Sequence, residues 1–465
     1  MMWRVVRKFS QEALVRPPSP KGVPLLGTLP ELIAAGGSPK LHLYVDRRHK
    51  ELGPVYTEAL GPVKAVFISN PKDIRRVFAS EGKFPVHLLP ESWILYNKLY
   101  GCSRGLFFMD GEEWLKHRHI MNKIMLKSQL SEKQLAGYKS ATSDVVDEWT
   151  QNMDKPVNDV VNHMYKLSIS YVLASLMGTS YPDHRHSLRQ NVDQLAKVIH
   201  LIFHESSKLN LIPAKLAATL RLPVWRRFVD AVQISLSSAK QLVDQLIPLA
   251  SEDGMLSQLK HENVPHEKIV KIAVDLILAG ADTTPYTMVW ALYLLARNSD
   301  VQDEVAEKVR STPVEEWTNH PLLRAVARET LRLYPAAPFI ARILPVDVEL
   351  SGFTVSAGET ILMSLHTSGR SEQNFPDAGR FWPARWLRNE SGRYQGVSEA
   401  TASLPFAMGG RACIGRKVAE TLMSLTLAQI LSQFRVNVQK EIEMVLMLVP
   451  VPAEPVTLFL SKRVS

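Results

Sequence analysis

The sequence has two cysteines, Cys102 and Cys413, and one of them sits where chemistry is possible. Around it the chain reads Phe406-Ala407-Met408-Gly409-Gly410-Arg411-Ala412-Cys413-Ile414-Gly415-Arg416-Lys417. A helical pattern starts directly after this loop and runs to about Gln433. A sulfur just ahead of a helix N-terminus is favoured as thiolate by the macrodipole and by unpaired amides. Gly409, Gly410 and Gly415 permit positive φ and let the backbone approach a flat group closely. Such a loop can present one axial thiolate to the iron of a planar ring while amides hydrogen-bond the sulfur. A lone cysteine is otherwise most often an inert buried thiol, so the weight falls on its neighbours.

A second constellation lies far from the first. Asp282 and Thr283, in Ala279-Gly280-Ala281-Asp282-Thr283-Thr284, interrupt the long apolar stretch from Val274 to Ala296. A glycine, an acid and a hydroxyl in mid-helix are locally unfavourable. Such conflict is expected where function overrides propensity; the plain alternative is a kink encouraged by Pro285. Trp114 and Arg118, in Asp110-Gly111-Glu112-Glu113-Trp114-Leu115-Lys116-His117-Arg118, share a helix face at i and i+4. An indole N–H beside a guanidinium suits a carboxylate. Glu329 and Arg332 face each other at i and i+3, which on a surface is worth little. Arg324 and Arg328, four apart or one helical turn, just precede Glu329, and Arg416 and Lys417 follow the cysteine loop. These four cations suit an acidic partner, or simply form solvated basic faces.

The elements that must position these residues follow from periodicity. Val55 to Ala59 and Val63 to Ile68 alternate around Gly61-Pro62 and predict a β-hairpin. From Pro71 to Val314 the 3.6-residue period dominates, with long segments at Ser131 to Met153, Val157 to Leu176 and Phe228 to Leu249. Alternation returns over Ala337 to Val355 and Met444 to Phe459. The expected fold class is mainly α with small β-sheets. No repeat is found, and no linker rich in Gly, Pro or Ser follows Pro24. One large domain over 25–465 is therefore expected, although 465 residues would allow roughly three domains of about 150.

Composition narrows the classes. Hydrophobic residues make up 46% and charged residues 22%, which excludes a disordered or low-complexity chain. Two cysteines cannot build a disulfide framework or a four-thiolate zinc site, and a reducing compartment fits. No run of about 20 apolar residues predicts a membrane-spanning helix. The net charge of +9 admits an acidic protein or a membrane surface, and no nucleic-acid-reading module appears. Residues 1–16 carry Arg4, Arg7, Lys8 and Arg16 against Glu12 alone, with Trp3, Val6, Phe9 and Ala13 between them. That pattern reads as a mitochondrial presequence or a basic surface helix. The Pro-rich stretch 17–24 reads as an extended linker. Residues 207–228 mix leucines with Lys208, Lys215, Arg221, Arg226 and Arg227, as a segment lying on a membrane surface would, although core helices look similar.

Phe406, Gly409, Arg411, Cys413, Gly415 and Ala419 together match the haem-binding signature of cytochromes P450, and the sequence resembles that family from about Pro20 to Leu460. The resemblance implies a single-domain P450 fold with haem b and Cys413 as the axial ligand of the iron. It implies haem-propionate contacts for Trp114, Arg118, Arg411 and, more weakly, Arg342. Asp282 and Thr283 match the oxygen-side motif, with Thr283 bonding to bound oxygen and a water and Asp282 relaying protons. Glu329 and Arg332 correspond to a structural pair locked to Arg385; here Ala384 stands where the family often has Glu. Ser19-Pro20-Lys21-Gly22 and the basic Arg324 and Arg328 resemble the mitochondrial type. That type docks an acidic ferredoxin, supplied by an NADPH reductase, on the face of Arg324, Arg328, Arg416 and Lys417. It lies on the matrix side of the inner membrane, held peripherally, here through 207–228. Pocket-lining candidates are Leu88 to Leu99, Val274 to Ala279, Ala337 to Ile340 and the region of Met447. They are mainly apolar and suit a lipophilic steroid. Phe84 to Pro90 with Gly105 to Met109 is most similar to arthropod mitochondrial members of ecdysteroid synthesis, the C2 hydroxylases in particular. The expected activity is hydroxylation of an ecdysteroid precursor with O2. Rivals are another mitochondrial sterol or xenobiotic hydroxylase, a P450-fold isomerase or dehydratase, and a non-catalytic haem or lipid carrier.

Overall fold

Apolar residues at helical spacing put most of the chain into helices. The computed structural model describes residues 15–61, 63–126, 131–210 and 212–463; most of the basic start expected over 1–16 lies outside the described residues. The helices that frame the site are α1 (Glu91–Leu99), α2 (Gly111–Met125), α3 (Glu132–Gln151), α4 (Val160–Met177), α5 (Tyr181–Lys208), α6 (Ala214–Thr219), α7 (Pro223–Leu246), α8 (His266–Arg297), α9 (Pro321–Leu333) and α10 (Arg416–Gln433). The expected helices at Ser131, Val157, Phe228 and after Cys413 correspond to α3, α4, α7 and α10. α3 begins at Ser131 because the Ser131 Oγ accepts the Gln134 N–H at 3.2 Å and the Gln134 side chain accepts the Ser131 N–H at 3.1 Å. That reciprocal pair satisfies two otherwise orphaned donors.

α8 is the spine. Its 32 residues are buried on nearly every side, as a helix that is apolar all round must be. It stays helical through Pro285. It lies tight against α4: a Cβ on Gly280 would stand 2.8 Å from Val172 Cγ2. The glycine that costs helix propensity therefore permits this close crossing. The Ser168 hydroxyl on α4 donates to the Gly280 carbonyl at 2.8 Å.

The strands are β1 (Val55–Leu60), β2 (Val63–Ile68), β3 (Phe339–Ile343), β4 (Val348–Leu350), β5 (Phe353–Val355), β6 (Thr360–Ser364), β7 (Phe434–Asn437), β8 (Met444–Met447), β9 (Val449–Pro452) and β10 (Phe459–Lys462). The expected hairpin is β1–β2, antiparallel with Val55 opposite Ile68 and Leu60 opposite Val63. It joins a four-stranded sheet of order β1-β2-β6-β3, in which β2 and β6 run parallel with Val66 opposite Ile361. Three two-stranded pairs, β4–β5, β7–β10 and β8–β9, complete the small sheets. The main core joins α3, α4, α5, α7, α8, α9 and α10, and a second apolar cluster with Val55, Ile68, Ile361 and Met363 lies under the sheet.

The 207–228 segment divides. Leu209 and Trp225 are buried in the core, while Leu216 and Leu220 are exposed beside Lys215 and Arg221. Its outward apolar face is thus narrower than the spacing suggested, because periodicity does not distinguish core from membrane. Among the described residues no helix is long and apolar enough to cross a membrane.

Candidate functional site

The cysteine loop ends where α10 begins, with Gly415 as the residue before its first turn. Cys413 Sγ is reachable yet ringed by protein, so it lines a recess rather than open surface. Burial pushes the thiol pKa up; the amides of Gly415 and Arg416 and the Arg118 guanidinium oppose this without overcoming it. The helix N-terminus therefore assists the thiolate, as its sequence suggested, but the free thiol is neutral at pH 7. A bound cation would have to supply the remaining stabilisation.

Around the recess the structure brings together Trp114, Arg118, Arg342 and Arg411. Arg118, on α2, donates through Nη2 to the Ala412 carbonyl at 2.6 Å and thereby pins the residue before Cys413. Arg411 lies over the Trp114 ring at 4.1 Å. Its Nη2 reaches Asp110 Oδ1 at 2.5 Å and the Met109 carbonyl at 2.8 Å, and its Nε reaches the Pro85 carbonyl at 3.2 Å. Burial pulls both Arg118 and Arg411 below their ordinary values, with Asp110 opposing the shift at Arg411.

Glu81 is the residue that sequence reasoning missed. It is 4% exposed and bridges two parts of the recess. Its Oε2 accepts Arg342 Nε at 2.7 Å and its Oε1 accepts the Gly410 N–H at 2.7 Å. Gly409 is required beside it: its φ is +75°, and a Cβ there would lie 1.9 Å from Glu81 Oε1. Nothing in the local sequence marks Glu81, because both its partners are more than 250 residues away.

Several donors remain unpaired. Among the described residues, Arg118 Nε and Arg342 Nη2 are buried without a partner, and neither ring nitrogen of His87 makes a well-formed hydrogen bond. Burial, then Arg411 and Arg342, lower the His87 pKa to about 4, so it is neutral at pH 7. Unpaired buried donors cost free energy. Here they are charge-compatible with a flat ligand bearing two carboxylates. The recess of Cys413, Arg118, Arg342 and Arg411 fits haem on that ground.

On α8, Asp282 and Thr283 diverge as neighbours on a helix must, about 100° apart. Thr283 Oγ1 donates to the Ala279 carbonyl at 3.1 Å. Asp282 is 1% exposed. Its Oδ1 accepts the Tyr165 hydroxyl from α4, and its Oδ2 has no partner among the described residues. Burial lifts its pKa from 3.8 to about 7, against the downward pull of the Tyr165 hydrogen bond. The acid and the alcohol make no hydrogen bond to each other among the described residues. Tyr165, the second residue missed by sequence, holds the acid on the α4 side.

The remaining expected residues fall in one buried hub and on exposed faces. Glu329 is fully buried and grips Arg332 through both oxygens, at 2.9 and 2.8 Å, with Arg385 Nε at 2.9 Å and Trp386 Nε1 at 2.9 Å. What spacing alone would rank as a weak surface pair is an inner hub. Arg324 and Arg328 are exposed on α9. Arg328 bonds Tyr394 Oη at 2.8 Å and stacks on Trp386. Arg416 pairs with Glu420 at 2.9 Å, and Phe406 lies under its guanidinium at 5.8 Å.

Comparison with known proteins agrees with this architecture. The Cytochrome P450 family pattern matches residues 17–458. Cytochrome P450 315a1, mitochondrial, of Drosophila melanogaster is 35% identical over 470 residues, covering 96% of this chain and 88% of the relative. Cytochrome P450 11B2, mitochondrial, of Mus musculus is 28% identical, covering 92% and 89%. Sterol 26-hydroxylase, mitochondrial, of Rattus norvegicus is 27% identical, covering 88% and 82%. Among solved structures, the retinoic acid bound cyanobacterial CYP120A1 shares the fold with a TM-score of 0.77 over 97% of this chain and all of that one, at 20% identity. A match this long, together with a recess that fits haem beside a lone cysteine, places the chain in the cytochrome P450 family of haem-thiolate monooxygenases.

Proposed function

We propose that this chain is a mitochondrial steroid hydroxylase, with Cys413 as the axial ligand of haem b and an ecdysteroid precursor, hydroxylated at C2, as its substrate. The observation that carries the catalytic reading is the recess in which Cys413 and the unpaired donors of Arg118 and Arg342 lie together. The substrate class is supported by similarity to relatives named as sterol and mitochondrial enzymes, and by the apolar stretches over Leu88 to Leu99 and Val274 to Ala279.

Haem, when bound, supplies the chemistry that inserts one oxygen atom of O2 into a C–H bond. The chain's own residues do the rest. Trp114, Arg118, Arg342 and Arg411 hold the propionates, and Phe406, Gly409 and Gly415 shape the loop that carries the sulfur. Glu81 fixes Arg342 and the Gly410 amide in one geometry. Asp282, with its pKa close to 7, can take and release a proton at neutral pH, as a relay acid must. Thr283 offers a hydroxyl on the neighbouring face of α8. Arg324, Arg328, Arg416 and Lys417 steer an acidic ferredoxin, reduced by its NADPH reductase, and Leu216 and Leu220 touch the matrix side of the inner membrane.

The test is reconstitution with a mitochondrial-type ferredoxin and reductase on a panel of ecdysteroid precursors, with product identification. A C2-hydroxylated steroid formed only with ferredoxin supports the proposal. Turnover independent of any electron donor, or preference for a microsomal reductase, contradicts it. Arg324→Gln should raise the KM for ferredoxin and weaken its dependence on salt.

A further inference from the structure

A charged pair that the haem recess does not use lies between α8 and the loop before α2. Arg104 Nε donates to Asp275 Oδ1 at 2.9 Å, with side chains 5% and 7% exposed. The guanidinium lies over the Phe108 ring at 4.6 Å and over the Trp93 ring at 5.4 Å. Trp93 itself is fixed, because its Nε1 donates to Ser206 Oγ at 2.7 Å and its ring meets Phe203 at 5.7 Å. The loop sits directly on α8: a Cβ on Gly105 would stand 2.5 Å from the Lys271 carbonyl.

The pair is underused as a purely structural contact. A guanidinium has five N–H donors, and among the described residues only the Nε of Arg104 makes a hydrogen bond. Its Nη groups have no protein acceptor among the described residues, and they are not fully shut off from solvent. Asp275 Oδ2 makes no well-formed hydrogen bond, although the amides of Gly105 and Phe107 face the carboxylate, and burial pushes the Asp275 pKa up despite Arg104. Accessible guanidinium donors without a protein acceptor are free to serve a ligand, and aromatic walls with a few convergent polar groups are what a lipophile site looks like. Position adds to this. Asp275 is eight residues, or about 12 Å along the helix axis, before Thr283, and about 80° from it around α8. Oxygen chemistry beside Thr283 and a donor cluster at Arg104 would thus engage opposite ends of one long, rigid molecule.

We propose that Arg104 is a specificity-determining anchor, clamped by Asp275 and stacked on Trp93 and Phe108. Its Nη groups donate to a hydroxyl or ketone oxygen of the lipophilic substrate, at the end remote from the reacting carbon. The steroid nature of the ligand rests on the proposed function; the anchor itself does not. Trp93 and Phe108 cover the apolar skeleton next to that oxygen.

The experiment is a spectral titration of the haem-loaded enzyme, reading the ligand-induced shift of the Soret band. The ligands are a polyhydroxylated ketosteroid, the same skeleton without those oxygens, and a non-steroidal lipophile bearing one ketone. Arg104→Gln should weaken the oxygenated steroid by about 10- to 100-fold and the stripped skeleton by no more than about 3-fold. Arg104→Lys, which keeps the charge but not the planar fork, should fall between. A thiolate-type reduced–CO band of unchanged amplitude per mole verifies that each variant is loaded. Equal weakening of both steroids, or no change in either, overturns the anchor. If the oxygenated steroid is bound and hydroxylated independently of Arg104, the anchor fails and the steroid reading stands. If no steroid binds but the ketone lipophile does so through Arg104, the steroid reading fails and the anchor stands.

Discussion

Replacing Tyr165 by Phe should raise the pKa of Asp282 and move the enzyme's pH dependence with it. Two opposing effects set that pKa. Burial lifts it from 3.8 to about 7, and the hydrogen bond from the Tyr165 hydroxyl holds it down. A hydrogen bond to a charged group contributes roughly 1.5–3 kcal/mol, and about 1.4 kcal/mol corresponds to one pKa unit. Tyr165→Phe removes that bond and keeps the ring that packs edge-on against Tyr286 at 5.9 Å. The Asp282 pKa should therefore rise by about 1–2 units. An acid about half ionised at pH 7 becomes roughly nine-tenths or more protonated there. The assay is a pH titration of the carboxylic C=O stretch by infrared difference spectroscopy, with Asp282→Asn identifying the band, beside the pH profile of product formation. A midpoint that stays put or moves down would refute the reasoning, because it would mean that Tyr165 does not stabilise the ionised acid. The same shift has a stability consequence. The folded state holds the Asp282 proton more tightly than the unfolded one, so its contribution is best below about pH 4 and is lost as pH rises towards the folded pKa of about 7. Above that, the ionised acid costs roughly 4 kcal/mol. Asp282→Asn should stabilise the protein at pH 8 and flatten its pH slope, while impairing turnover.

Glu81→Ala strands Arg342 and the Gly410 amide, and should lower stability by about 3–5 kcal/mol, read by urea unfolding together with faster haem loss. Glu81→Gln, which can still accept from Gly410, should lose less. Gly280→Ala puts a methyl 2.8 Å from Val172 Cγ2 and should cost about 1–3 kcal/mol. Val172→Ala in the same chain should restore part of it, so a double-mutant cycle by denaturant unfolding that is strictly additive would contradict the close crossing.

What could be read from the sequence is what short stretches of chain decide. The Cys413 loop and the start of α10 were legible because glycines, the thiol and a new helical period lie within a dozen residues. The β1–β2 hairpin was legible because alternation breaks at a Gly-Pro turn. β6 was not: Thr360–Ser364 is short, and its parallel neighbour β2 lies nearly 300 residues earlier. Tyr165, Glu81 and the Arg104–Asp275 pair were hidden for the same reason. Their partners are 117, 261 and 171 residues away, and a single buried acid or tyrosine carries no spacing signal. Glu329 was found by its i, i+3 arginine, but its burial was not. The 207–228 segment shows the opposite failure. Its pattern was clear, and packing assigned Leu209 and Trp225 to the core, where pattern alone could not place them.

The most direct test of the central claim, that Cys413 is the thiolate ligand of a haem held by the arginine recess, is the reduced–CO difference spectrum. The wild-type protein should show the thiolate-type Soret band, and Cys413→Ala should abolish it while Cys102→Ala leaves it intact. A thiolate-type band that survives in Cys413→Ala, or vanishes in Cys102→Ala, would contradict the assignment.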